Sequence, residues 1–124
     1  MRTTLVIGVA GALGAVSRHQ LESLVNRAWG DAFPWGTFVV NVSGSFAIGV
    51  LVGVFARLLG VPLWLQARAT VGFLGAYTTF STLELQVYRS MATGHVLVAL
   101  ANAVGSLVVG AFALYSGILL VRAF

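Results

Sequence analysis

Cysteine and lysine are both absent from this chain, and acidic residues number only three. The first absence excludes disulfides, thiol chemistry and thiolate metal sites. The second leaves the positive charge to seven arginines, Arg2, Arg18, Arg27, Arg57, Arg68, Arg89 and Arg122. They stand singly, so the formal net charge of +4 forms no basic patch of the kind that holds nucleic acid. Charge of either sign is scarce: 8% of the 124 residues are charged and 59% are hydrophobic. That balance, with a mean hydropathy of +0.98, lies outside the range of water-soluble domains and points to an integral membrane protein.

Two runs free of charge, residues 37–55 and 96–121, are 19 and 26 long. As helices, both are long enough for a hydrocarbon core of roughly 30 Å. Two further spans are expected, one interrupted late by Arg18, His19 and Glu22 and one whose uncharged part ends at Leu83. The chain is therefore expected to be a single multi-pass membrane domain over 1–124, with spans at about 3–25, 37–56, 69–89 and 96–121. Arg2 followed by an apolar run has the outline of a signal peptide. However, Ser17-Arg18 is a poor cleavage site, and the chain beyond it reads as more membrane protein. Four short helices enclose little interior of their own, so a larger assembly is expected.

With four crossings, the side holding the termini and the second connection carries Arg2, Arg57, Arg68 and Arg122. The other side carries Arg18, Arg27 and Arg89. Orientation normally follows an excess of lysine and arginine on the cytoplasmic side, and four against three is almost no excess. Either copies insert both ways and pair antiparallel, or a weak bias is settled by other features. Gly8, Gly11 and Gly14 recur every third residue in the first span, Ser45, Gly49 and Gly53 every fourth in the second, and Ser106 and Gly110 lie four apart in the fourth. Such spacing lets membrane helices close up.

Polar positions inside the spans fall at helical spacing. Thr37, Asn41 and Ser45 drift only about 40° per step, forming one stripe on the second helix, and Asn102 with Ser106 does the same on the fourth. These stripes either glue helices together or line a path. The third span is unusual. Gly72 and Gly75 precede Thr78-Thr79-Phe80-Ser81-Thr82, where hydroxyls compete for backbone carbonyls. Either the helix breaks there, freeing backbone groups that must be buried or used, or it continues with hydroxyls bonded back to carbonyls. Phe80 among these hydroxyls is either ordinary packing or a ring that faces an ion.

Arg18 and Glu22, four apart, are placed to pair on one helix face. Glu84 falls near the water boundary, neither His19 nor His95 has a ligand-spaced partner, and nothing resembles a nucleophile with its base. No catalytic residues are expected.

Three segments carry a resemblance to a known family: residues 11–18 (GALGAVSR), 36–46 (GTFVVNVSGSF) and 72–82 (GFLGAYTTFST). Together and in order, along essentially the whole chain, they make it resemble the Fluc, or CrcB, fluoride channels. The resemblance implies an all-α, four-transmembrane-helix protein with a broken third helix. It also implies an antiparallel dual-topology homodimer in the cell inner membrane, passing fluoride passively and selectively out of the cell. By the same resemblance, Asn41, Phe80, Ser81 and Thr82 line the fluoride path, and Asn102 and Ser106 continue it. Arg18 draws anions to the vestibule, and the backbone carbonyls of Gly75 and Thr78 hold a structural sodium ion. The family's second Phe, three residues after the first, is here Leu83, which shares a helical face with Phe80 but presents no ring edge. The family's following glutamate is here Gln86, with Glu84 out of register.

Two other functions remain open to a chain of this kind. A small proton-coupled exporter needs an accessible carboxylate deep in the first span, and Glu22 sits too late for that. A noncatalytic assembly subunit would use its polar residues only to glue helices.

Overall fold

The computed structural model describes residues 1–58 and 60–124, and it is all-α. Helix α1 spans Arg2–Trp29 and α2 spans Trp35–Arg57. The third passage is composite: α3, Leu63–Ala69, a π-helical turn, Thr70–Leu74, the short α4, Gly75–Tyr77, and α5, Phe80–Ala92. Helix α6, Val96–Ala123, completes four passages of which the third is bent. Gly30 and Gly94, at φ 78° and 82°, turn the chain after α1 and before α6, in a backbone region that side-chain-bearing residues rarely enter.

Apolar side chains face outward. Among the described residues only Val40, Leu74, Leu83 and Ala99 are buried hydrophobics, whereas Leu5, Leu13, Val71, Leu97, Leu107 and Phe112 are exposed. A soluble protein reverses that arrangement; a surface this apolar suits hydrocarbon. Helices α2 and α6 are long and apolar enough to cross a membrane, with mean hydropathy 2.1 and 2.2. The chain is thus a multi-pass membrane protein.

With so few apolar groups inside, close backbone contact holds the bundle. Helices α2 and α6 run parallel, and Arg57 Nη2 donates to the Arg122 carbonyl at 2.8 Å. A Cβ added to Gly49 would overlap the Leu114 carbonyl, and one on Gly117 would overlap the Phe46 carbonyl. On α1, Gly14 lies against the Phe73 carbonyl, while Gly8 has nothing within 4 Å. The three-residue glycine pattern of the first span is therefore only partly a packing surface. At the entry to α2, Asn26 Oδ1 accepts from Gly36 N–H at 3.0 Å, joining the ends of two helices.

The third passage breaks at Thr78 and Thr79, both extended, with ψ 156° and 113°. Thr78 sends its N–H and its hydroxyl to the Leu74 carbonyl, at 3.0 and 2.9 Å, closing α4. Thr79 then caps α5, its Oγ1 accepting from Thr82 N–H at 3.3 Å. Of the two possibilities left by the sequence, the hydroxyl-rich run makes the broken helix.

Candidate functional site

The break is closed from the side by Asn41. Its Oδ1 accepts from Thr79 N–H at 2.8 Å, and its Nδ2 donates to the Thr79 carbonyl at 3.1 Å. One amide thus satisfies both backbone groups of Thr79, the residue at the break. The Asn41 carbonyl in turn accepts from Ser45 Oγ at 2.8 Å. Beside this clasp lies a cavity of about 210 Å³ lined by Asn41, Ser45, Thr79, Phe80, Leu83 and Ser106. One N–H of Asn41, the Ser106 hydroxyl and the Phe80 ring can all meet an occupant there.

A second polar file crosses three helices. Gln86 Nε2 donates to Thr37 Oγ1 at 2.7 Å, Asn102 Nδ2 donates to Gln86 Oε1 at 3.5 Å, and Ser106 Oγ donates to Asn102 Oδ1 at 3.4 Å. Thr37, Asn102 and Ser106 are buried, at 3%, 1% and 8% exposure. The last two bonds are long and therefore weak. Ser106 belongs to the cavity at the break, and Gln86 lines a second cleft of about 470 Å³ with Asn26, Asp31, Arg89, Thr93 and His95. The file therefore runs from one cavity to the other.

The expected site residues separate into two groups. Asn41, Phe80, Leu83, Asn102 and Ser106 come together at the cavity or along the file. Thr82 supports the cap, accepting from Thr79 Oγ1 at 2.8 Å, and does not line the cavity. Ser81 is exposed and lines neither polar cavity. Arg18 lies on α1, also away from both. Glu22 Oε1 is buried without a hydrogen-bond partner, so the expected Arg18–Glu22 pair is not made through that atom. Glu22 lines neither cavity, and Glu84 lines a separate apolar groove with Phe80, Leu83 and Tyr88.

Gln86, given no role by the sequence, joins the file through Thr37 and Asn102. It follows Leu83 by three and Thr82 by four, a spacing that places it on the same helical face. Thr37, noted in the α2 stripe, is its partner.

The sodium ion expected on the carbonyls of Gly75 and Thr78 is not retained. Among the described residues no group of three or more His, Cys, Asp or Glu could hold a metal ion. The break is instead closed by protein groups, with Asn41 on Thr79 and Thr78 on Leu74.

Fold and site together define a multi-pass membrane protein built around a polar path. A family model described as CrcB-like protein, Camphor Resistance, matches residues 5–118. A fluoride-specific ion channel of Geotalea uraniireducens is 40% identical, with 99% of each chain covered. Fluoride-specific ion channels of Magnetococcus marinus and Solibacter usitatus are 41% and 42% identical, covering 94% and 95% of this chain and 94% and 97% of theirs. The chain belongs to the CrcB family.

Proposed function

We infer that this protein is a fluoride-selective ion channel, which lets fluoride leave the cytoplasm down its electrochemical gradient and performs no catalysis. The observation that carries the reading is the polar file from Gln86 through Asn102 to Ser106, running between two cavities of a bundle whose outer surface is apolar. Its relatives' names agree with it. Fluoride is small and strongly hydrated, so its water must be replaced by closely spaced hydroxyl and amide donors. Asn41, Gln86, Asn102 and Ser106 supply such donors at the break and along the file.

The working form is an antiparallel, dual-topology homodimer of a single membrane domain in the cell inner membrane. Near-equal arginine counts on the two sides support it. So does Phe80, 67% exposed although it borders the cavity, a ring that a second copy would cover. In that arrangement Asn41, Phe80, Leu83, Asn102 and Ser106 line the path, Ser81 and Thr82 contribute at the start of α5, and Arg18 acts at long range on approaching anions.

Gln86→Leu tests the file. The change removes the partners of Thr37 and Asn102 together and is expected to slow fluoride efflux from proteoliposomes by about tenfold or more, since each orphaned buried group costs about 1–3 kcal/mol. Parental efflux from this variant in a monodisperse, folded preparation would remove Gln86 from the path. Leu83→Phe tests the wall of the cavity: a larger side chain at a site only 7% exposed is expected to change the efflux rate several-fold while chloride stays excluded. An unchanged rate would show that the residue at this position has no part in conduction.

A further inference from the structure

Asn41 holds Thr79, on the α5 side of the break. The α4 side is held differently. Helix α4 is three residues long and follows a π-helical turn, a piece too short to fix its own direction. Its last residue, Tyr77, stands two positions before Thr79 and reaches across to α2, where its Oη lies 2.9 Å from Ser43 Oγ. Ser43 gives its one hydrogen to the Val40 carbonyl at 3.1 Å, so the Tyr77 hydroxyl is the donor of the bond between them.

The ring is held as well as the hydroxyl. Phe73, one turn earlier, stacks on Tyr77 with 5.8 Å between centroids and 13° between planes. On α2, Gly44 leaves the space for this approach: a Cβ there would overlap Thr78 Cγ2 and lie 3.2 Å from Tyr77 Cδ1. On α1, a Cβ added to Gly14 would lie 3.2 Å from the Tyr77 backbone nitrogen. Thr78, between the two gripped residues, lines the 210 Å³ cavity with Asn41, Thr79 and Phe80. Tyr77 does not line it, so any effect it has on an ion passes through Thr78 and Thr79.

We propose that Tyr77 is a positioning residue for conduction. Its bond to Ser43 fixes the α4 side of the break, as the Asn41 amide fixes the α5 side, and so holds Thr78 and Thr79 in place at the cavity wall. This rests on the reading of the chain as a fluoride channel. A strongly hydrated ion gives up water only to protein groups that are already in position, so loosening either side of the break slows its passage.

The test is fluoride efflux from proteoliposomes, expressed per folded protein, beside thermal stability in detergent. Tyr77→Phe keeps the ring and its stacking and removes only the donor. It is expected to slow efflux about fivefold, the weight of one hydrogen bond, and to speed amide hydrogen exchange at Thr78 and Thr79. Ser43→Ala should do the same, and the double variant should be no slower than either single one, since both changes remove one bond. Tyr115→Phe, at a tyrosine 57% exposed on α6, should behave as the parent. Parental efflux per folded protein from Tyr77→Phe or Ser43→Ala, even with a lowered unfolding temperature, makes the pair a packing contact and overturns the proposal while leaving the channel intact. A double variant slowed by the product of the two single effects overturns it as well. Absence of fluoride efflux from the folded parent overturns the channel reading, and this one with it.

Discussion

Asn41→Asp is expected to suppress fluoride efflux by about a hundredfold or more, the largest functional effect of any single substitution in the path. The amide closes the helix break through two bonds, one accepted from Thr79 N–H and one donated to the Thr79 carbonyl. A carboxylate keeps the first and replaces the second with two oxygens facing each other, so a buried carbonyl loses its donor at a cost of about 1–3 kcal/mol. It also sets a negative charge on the wall of the 210 Å³ cavity, where an approaching anion is repelled. Asn41→Ala separates the two causes. It removes the clasp without adding charge and is expected to lose about tenfold or more, with a start of α5 that exchanges amide hydrogens faster at Thr79 and Phe80. Efflux at the parental rate from Asn41→Ala would mean that the break holds its shape without the clasp.

The second large effect concerns assembly of the bundle. Gly49→Val is expected to prevent α2 and α6 from packing, because its Cβ alone would overlap the Leu114 carbonyl. Overfilling a close contact costs about 1–3 kcal/mol even where side chains can give way, and here the obstacle is backbone. Few buried apolar side chains are present to absorb the loss. The variant should aggregate or elute as a broad species in detergent, and Gly117→Val should do the same, since its Cβ would overlap the Phe46 carbonyl. Gly8→Ala is the matched control, with nothing within 4 Å of the added methyl, and should retain parental thermal stability. A monodisperse, thermally unaltered Gly49→Val protein would contradict the packing described for α2 and α6.

Much of this architecture is legible in the chain because a membrane protein writes its spans as runs without charge. The uncharged stretches at 37–55 and 96–121 became α2, which extends past its stretch at both ends, and α6, which extends past its stretch only at the C-terminal end. The stripe of Thr37, Asn41 and Ser45 was visible from helical spacing alone, but its division of labour was not. Asn41 and Ser45 border the cavity at the break, while Thr37 pairs with Gln86 on another helix. Gln86 is a single polar residue near the end of a span, and only tertiary packing brings it between Thr37 and Asn102. The hydroxyl run did announce an interruption of the third passage. The group that closes it could not be read locally, since the clasp comes from a residue 38 positions away. The sodium ion expected on Gly75 and Thr78 came from family resemblance rather than from the chemistry of this chain. Here that chemistry offers an amide clasp and no cluster of metal-ligating side chains among the described residues.

The most direct test of the account is anion efflux from liposomes reconstituted with the purified parent protein, loaded in one set with fluoride and in another with chloride. A channel built on closely spaced hydroxyl and amide donors should empty the fluoride vesicles rapidly and leave the chloride vesicles full. Retention of both anions by a demonstrably folded protein, or release of both at similar rates, would contradict it.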